Sequence, residues 1–355
     1  MVKLALNGFG RTARSTFRAY LLHHREKAQI VAINTSGSMD TPGWAHLLQY
    51  DTTQGIFPQP VTFADLKPAS QASNQDPLIG YLVISGQKYP VLAQPDPAKL
   101  PWKDYQVDVV IEATGAFRKP EQAQAHLAAG ARRVLISAPP KGDNKDQVNM
   151  YVLGVNSYQG KEEIISSASC TTNCVAPVAA IISAQFGIAK AMMTTVHGYT
   201  DDQRLQDNSH KDLRRARAAA LNIIPTDTGA ATATATTLPE LAGKFDGLAI
   251  RVPVASGSLS DFVFLTQKST TIEAVNQAFI AAAQDPRWQG ILAVTQEPIV
   301  SSDIVGRPES AIVDLSFTNV VDGNLVKVLA WYDNEWGYSN RLIEQAIEIG
   351  KTLSS

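Results

Sequence analysis

In the first half of the chain, short β-rich apolar runs alternate with helix-like stretches. That is the pattern of a parallel sheet with crossover helices. Strands are expected at residues 3–7, 29–34, 107–112 and 133–137. Helices are expected at 12–24 and 121–130, with Gly130 ending the second. Residues 66–80 turn to Pro, Ser, Gln and Asn without periodicity and read as a surface excursion between strands.

The texture changes at Cys170. A helix over 172–186 leads to an apolar run at 191–196, followed by a polar, basic stretch at 198–220 too irregular for a continuous amphipathic helix. Strand-like segments then recur at 248–254, 260–266, 310–314 and 326–332 with few helices between them, which points to a mixed or antiparallel sheet. The closing segment, 339–351, has the pattern of an amphipathic helix suited to packing back on the first half.

A length of 355 residues suits two domains. The net charge of -2 removes any global pull toward nucleic acid or membrane. Affinity for an anionic substrate must therefore come from a local basic cluster. No apolar run approaches a membrane span, and the start MVKLALNGFG does not read as a secretory signal. The two cysteines, Cys170 and Cys174, lie one helical turn apart, which is no disulfide framework and fits a reducing, cytoplasmic setting. They lack a second Cys/His pair at zinc-like spacing, so no metal site is expected.

Gly8-Phe9-Gly10-Arg11-Thr12-Ala13 forms G-x-G-x-x-A directly after a strand and at a helix start. The first glycine permits the tight turn, the second lets the backbone approach a pyrophosphate, and Ala13 still allows close helix packing. The exposed helix N-terminus offers N–H groups to phosphate. The second strand ends Ile33-Asn34-Thr35-Ser36, with no carboxylate until Asp40. A carboxylate there would repel a 2′-phosphate, whereas small hydroxyl residues can donate to one, so the cofactor is expected to be NAD or NADP, with Asn34 holding the ribose in the NAD case.

Cys170 stands at the start of an expected helix, where free N–H donors and the helix dipole favour thiolate. Such a sulfur can attack an aldehyde to form a hemithioacetal, whose hydride passes to a nicotinamide. A base is then needed, and His197 follows the apolar run as a strand end would. Cys174 reads as core. Thr171, Thr200, Thr228, Gly229 and Arg251 supply anion ligands suited to a phosphorylated substrate and inorganic phosphate.

The segments NGFGR (7–11), SASCTTNC (167–174), TTVHGYTDDQR (194–204), HKDLRRARAAALNIIPTDTGAA (210–231) and WYDNEWGYSNR (331–341) together resemble the phosphorylating glyceraldehyde-3-phosphate dehydrogenases of bacterial and chloroplast type. The resemblance covers essentially the whole chain. It implies an α/β fold: a Rossmann-like parallel-sheet dinucleotide domain at 1–169, an α+β catalytic domain with a mostly antiparallel sheet at 170–335, and a C-terminal helix at 336–355 packed on the first domain. It implies oxidation of glyceraldehyde 3-phosphate to 1,3-bisphosphoglycerate through a cysteine thioester, with Cys170 as nucleophile and His197 as base. Thr200, Asp202 and Arg251 resemble the site for the substrate's phosphate. Ser169, Thr171, Thr228 and Gly229 resemble the site for inorganic phosphate. Asn334 resembles the residue that holds the nicotinamide carboxamide, with Tyr338 nearby, and Thr114 and Ser137 those lining the cofactor cleft. Asn7, Gly8, Gly10, Arg11 and Thr12 would carry the pyrophosphate turn. The stretch 198–220 resembles a loop crossing a subunit interface, and the family is tetrameric, which implies a homotetramer.

Departures from the family pattern bear on the cofactor. Thr35 stands where NAD-preferring members carry Asp, and Asn208-Ser209 where Leu-Pro is common. NADP-using members have a small residue followed by serine there, so Ser209 joins the expected cofactor set. Gln94-Pro95 replaces a segment that often carries an arginine near the ribose. Dual use of NAD and NADP is the resulting expectation. The competing readings are an erythrose-4-phosphate dehydrogenase and a catalytically silent binding protein of the same fold.

Overall fold

Strand β1 (Val2–Asn7) opens the chain, and its Leu4, Ala5 and Leu6 are wholly buried. A strand buried on both faces belongs inside a parallel sheet covered by helices. Helix α1 (Arg11–His23) follows and turns Ala13, Thr16, Phe17 and Tyr20 inward at helical spacing. Then come β2 (Ala28–Thr35), α2 (Thr41–Gln49) and a small ribbon of β3 (Tyr50–Asp51) with β4 (Gly55–Ile56). Next are β5 (Val61–Asp65), β6 (Leu78–Ile84), β7 (Gln87–Ala93) and β8 (Val109–Glu112). Helix α3 (Pro120–Ala128), β9 (Arg133–Ile136), β10 (Asn149–Met150) and β11 (Ile164–Ser166) complete the first sheet.

This computed structural model describes residues 1–353. The first of two units takes in Met1–Tyr151, Tyr158–Ala168 and the chain from Ser339. Its nine-stranded sheet has the order β10-β11-β9-β8-β1-β2-β7-β6-β5, parallel as far as β7. The last two strands run antiparallel, as a meander. That meander and α2 are not legible in the alternation of strands and helices, because the meander has no crossover helix and β5 is largely exposed. Residues 78–80, expected in the excursion, are instead the start of β6. The rest of the excursion is tied down: Ala69 N donates to Asp40 Oδ1 at 2.6 Å, and Lys67 pairs with Asp76 at 2.5 Å.

The second unit takes in Val152–Ser157 and Ser169–Tyr338. Helix α4 (Cys170–Phe186) begins two residues earlier than expected and ends at Gly187, whose φ of 67° suits glycine. It packs with α5 (Ala230–Thr237) and α6 (Ile272–Gln284) over a core that includes Cys174, Val178, Phe262, Phe264, Phe279 and Val328. The sheet below joins β12 (Ile188–Gly198), β13 (Ile224–Asp227), β14 (Phe245–Val252), β15 (Ser258–Thr266), β16 (Leu292–Thr295), β17 (Ala311–Val321) and β18 (Leu325–Tyr332). It is mostly antiparallel, with β12/β14 and β16/β17 parallel. A short helix α7 (Ser301–Ile304) precedes β17.

Helix α8 (Trp336–Lys351) closes the chain. From Ser339 on it belongs to the first unit, with Leu342, Ile343 and Ala346 fully buried and Gly350 set against Val2. Residues 354 and 355 of the expected closing segment lie outside the described residues.

Candidate active site

The chain approaches Cys170 through a constrained turn. Ala168 is buried with φ at 55°, a region unfavourable to a side chain with a Cβ, and its N–H donates to Ser166 Oγ at 3.0 Å. Ser169 then caps α4, its Oγ accepting from Thr172 N at 3.0 Å. Cys170 is the first helical residue, and its Sγ lies 3.5 Å from His197 Nε2.

His197 Nδ1 lies between an acceptor and a donor, 2.7 Å from the Gly198 carbonyl and 3.0 Å from Arg251 Nη1; with the proton on Nδ1 directed at the carbonyl, Nε2 presents its lone pair to the thiol. Burial, and then the Arg251 charge, pushes the ring down to about 3, so it is neutral near pH 7. Burial also pushes the Cys170 thiol up, against the pull of Arg251 and the Thr171 hydroxyl. The expected preference for thiolate is therefore outweighed in this geometry, and His197 is placed to take the proton when sulfur attacks.

Pairing of β12 with β14 sets His197 opposite Arg251 at their strand ends. Arg251 Nη1 donates to the Gly198 carbonyl at 3.1 Å and reaches Thr200 Oγ1 at 3.4 Å, while its Nε is buried with no acceptor among the described residues. Asp202 faces Arg215, whose Nη1 lies 2.5 Å from its carboxylate, and His210 at 3.5 Å. Burial opposes ionisation of Asp202, but Arg215 and His210 outweigh it and hold the carboxyl below its usual range. Arg215 also donates to Thr226 Oγ1 and to the Asp227 carbonyl, beside Thr228. The basic run of 214–217 signalled an arginine here, but only tertiary contacts separate inward-facing Arg215 from Arg217, which pairs with Asp207.

Other expected anion ligands are partly engaged. Ser169 serves as the helix cap, Thr171 Oγ1 is 3.1 Å from the Tyr332 hydroxyl, and Thr228 Oγ1 accepts from Ala230 N at the start of α5. Gly229, at the N-cap of that helix, is exposed. No local sequence signal marks Tyr332; its hydroxyl lies 2.8 Å from Thr195 Oγ1 and 3.1 Å from Thr171 Oγ1. Asn334 is buried, and Ser258 Oγ donates to its Oδ1 at 2.7 Å, leaving the amide N–H groups as donors for a carboxamide. Tyr338 is buried four residues on. Ser209 is exposed, with its carbonyl accepting from Arg204 Nε at 2.9 Å.

The first unit fits a dinucleotide. Gly8 has φ at 89°, and a Cβ there would stand 2.8 Å from Thr114 Cγ2 and 2.9 Å from Thr114 N. Gly10 has no heavy atom within 4 Å of the place a Cβ would take, so its side is open, and α1 starts with no side-chain cap on its N–H groups. Thr12 and Ser137 are partly exposed and Thr114 is exposed.

Two of the expected cofactor residues have partners within the protein: Arg11 pairs with Asp51 at 3.2 and 3.3 Å. The buried Thr35 hydroxyl donates inward to the Leu92 carbonyl at 2.9 Å. Asn7 and Asn34 likewise bond one another, Asn34 Nδ2 donating to Asn7 Oδ1 at 2.7 Å.

Comparison with known proteins agrees with both halves. Residues 2–120 match the glyceraldehyde 3-phosphate dehydrogenase NAD binding domain, and residues 169–334 match the C-terminal domain of the same family. The chain is 48% identical over 355 residues to a glyceraldehyde-3-phosphate dehydrogenase of Streptomyces coelicolor, covering 99% of each chain. It is 46% identical over 352 residues to that of Zymomonas mobilis, again covering 99% of each, and 46% over 349 residues to glyceraldehyde-3-phosphate dehydrogenase 1 of Bacillus cereus, covering 98% of each.

Proposed function

This chain belongs to the glyceraldehyde-3-phosphate dehydrogenase family, and we propose that Cys170 and His197 carry its phosphorylating aldehyde oxidation. The observation that carries this assignment is the 3.5 Å approach of Cys170 Sγ to His197 Nε2, with the far side of the ring fixed on the Gly198 carbonyl.

His197 Nε2 takes the thiol proton as Cys170 sulfur bonds to the aldehyde carbon and the C=O π bond opens, and passes that proton to the aldehyde oxygen, which becomes the hemithioacetal hydroxyl. A bound nicotinamide dinucleotide supplies the hydride acceptor. As the carbon is oxidised, His197 accepts the hydroxyl proton and a thioester remains on Cys170. Attack by an inorganic phosphate oxygen then breaks the C–S bond, releases Cys170 thiolate and yields the acyl phosphate. Arg251 and Thr200 are suited to the substrate's own phosphate, and Arg251 Nε, buried without an acceptor, supports an anion there. Asp202 acts by holding Arg215. Thr228 and Gly229, next to the Asp227 carbonyl that Arg215 holds, suit the attacking phosphate.

The first unit binds NAD, with the turn at Gly8 and Gly10 receiving the pyrophosphate and Thr12, Thr114 and Ser137 lining the path. Asn334, with Tyr338 near it, holds the nicotinamide carboxamide. Acceptance of NADP is supported by the lack of a carboxylate at the end of β2, where the exposed Ser36 and Ser38 hydroxyls bond one another at 3.0 Å; Ser209 is the second loop position consistent with it. Assembly as a homotetramer is supported by exposed apolar side chains in the 199–223 stretch, among them Leu205, Leu213 and Leu221. No helix among the described residues is long and apolar enough to cross a membrane; a cytoplasmic location accords with the two free thiols.

The test is steady-state oxidation of glyceraldehyde 3-phosphate with NAD and with NADP, each with and without inorganic phosphate. Phosphate-dependent turnover is expected with both. Turnover indifferent to phosphate would overturn the acyl-phosphate route, and activity with NAD alone would overturn dual use. The erythrose-4-phosphate and non-catalytic alternatives are not favoured by the family match.

A further inference from the structure

Across the carboxyl ends of β1, β2, β7 and β8 runs a chain of buried polar side chains. Gln94 N donates to Asn34 Oδ1 at 3.0 Å, and Asn34 Nδ2 donates both to the Gln94 carbonyl at 2.9 Å and to Asn7 Oδ1 at 2.7 Å. Asn7 Nδ2 donates to Glu112 Oε2 at 2.5 Å. From the other side, Trp102 Nε1 donates to His126 Nδ1 at 2.9 Å, and His126 Nε2 meets the same Glu112 oxygen at 3.0 Å. Glu112 Oε1 accepts from Thr114 N at 2.8 Å and from the Thr114 hydroxyl. Trp102 and His126 are fully buried, and Asn7, Asn34, Gln94 and Glu112 are at most 4% exposed.

Neither end of this chain can reverse. The Gln94 backbone has a fixed N–H and a fixed carbonyl, so the Asn34 amide has one allowed orientation, and that orientation sets Asn7. An indole N–H only donates, so His126 Nδ1 must accept and the ring proton must sit on Nε2, directed at Glu112. Four donors thus converge on one carboxylate with no flip available to any of them.

The same residues hold the cofactor turn. Gly8 N donates to the Asn34 carbonyl at 3.0 Å and Ala113 N to the Asn7 carbonyl at 2.8 Å, while Gly8 lies against Thr114. We infer that this one-directional chain preorganises the dinucleotide cradle, with Glu112 and His126 as positioning residues for cofactor binding. It rests on the assignment of this unit to NAD. A carboxylate is required at Glu112 because every partner there is a donor; a neutral amide of the same shape must turn an N–H against a donor whichever way it faces.

Glu112→Gln tests this without changing shape. The expected result is a rise of about tenfold or more in the dissociation constant for NAD, read by fluorescence titration. The iodoacetamide alkylation rate of Cys170 in cofactor-free protein should stay as in the wild type, since the second unit is untouched. Adding Trp102→Phe removes one end-stop: the His126 proton can move to Nδ1, and Nε2 can accept from the introduced amide. The double variant should therefore regain part of the lost affinity, about threefold or more over E112Q alone. A folded E112Q that binds NAD within about twofold of wild type overturns the inference. So does a weakened E112Q that gains nothing from Trp102→Phe. Should E112Q not fold, His126→Phe deletes one donor to Glu112 at a fully buried position; weaker NAD binding at an unchanged Tm supports the chain, and unchanged binding overturns it. Failure of the wild type itself to bind NAD would instead remove the assignment of this unit.

Discussion

His197 and Arg251 share one acceptor: His197 Nδ1 lies 2.7 Å, and Arg251 Nη1 3.1 Å, from the Gly198 carbonyl. The base and the guanidinium are thereby fixed relative to one another at paired strand ends. Arg251 Nη1 also lies 3.0 Å from His197 Nδ1 itself, and burial, then this adjacent charge, keeps the ring neutral.

Substitution of Cys170 by Ser keeps the cap at Ser169 and the start of α4 but replaces the nucleophile. Turnover is expected to fall by about ten-thousandfold or more, while NAD binding persists. Steady-state assays beside an NAD titration check this, and near-normal turnover in the variant would sink the thioester route.

Arg251→Leu removes the cation that pulls the thiol down against burial. The Cys170 pKa should rise further, so at any fixed pH below it the rate of alkylation by iodoacetamide should fall. The KM for glyceraldehyde 3-phosphate should rise by about tenfold or more, as expected for a lost charged hydrogen bond. Alkylation as fast as in the wild type would show that Arg251 does not act on the thiol.

Acid sensitivity should be traceable to His24, which is 6% exposed and pushed down to about 4, chiefly by burial and next by Lys27 and His23. Between its ordinary value and 4 the unfolded chain binds the proton and the folded one does not, so this contribution to stability is present near pH 7 and lost as pH falls. His24→Gln should flatten the decline in stability between pH 7 and 5 by on the order of 2 kcal/mol. Urea midpoints at the two pH values measure it; parallel declines in both proteins would contradict the assignment.

Ser36→Asp places a carboxylate where the strand end now carries only hydroxyls. It should lower kcat/KM with NADP by about tenfold or more while leaving NAD largely unaffected, because charge repels the 2′-phosphate alone. Equal loss with both cofactors would indicate damage to the turn instead.

Much of the fold was legible where local pattern and tertiary role coincide. The run Val2–Asn7 followed by Gly8 and Gly10 specifies a buried strand, a tight turn and a helix start, and each is observed. The meander of β5, β6 and β7 was not legible, since an exposed edge strand after a polar tract has no apolar period to read. At the site, Cys170 and His197 were legible by residue type and motif. The inward-facing hydroxyl of Thr35, the pairing of Arg11 with Asp51 and the part played by Arg215 were not, because each depends on a partner from a different segment.

Sequence by itself determined the two-part architecture, the glycines of the first turn and the reactive residue types at Cys170 and His197, because backbone freedom and side-chain reactivity are properties of single residues. Tertiary structure alone decided protonation and direction: which nitrogen of His197 faces the thiol, and which way the Asn7, Asn34 and Glu112 chain runs. Burial and fixed backbone donors set those states, and neither exists until distant segments meet.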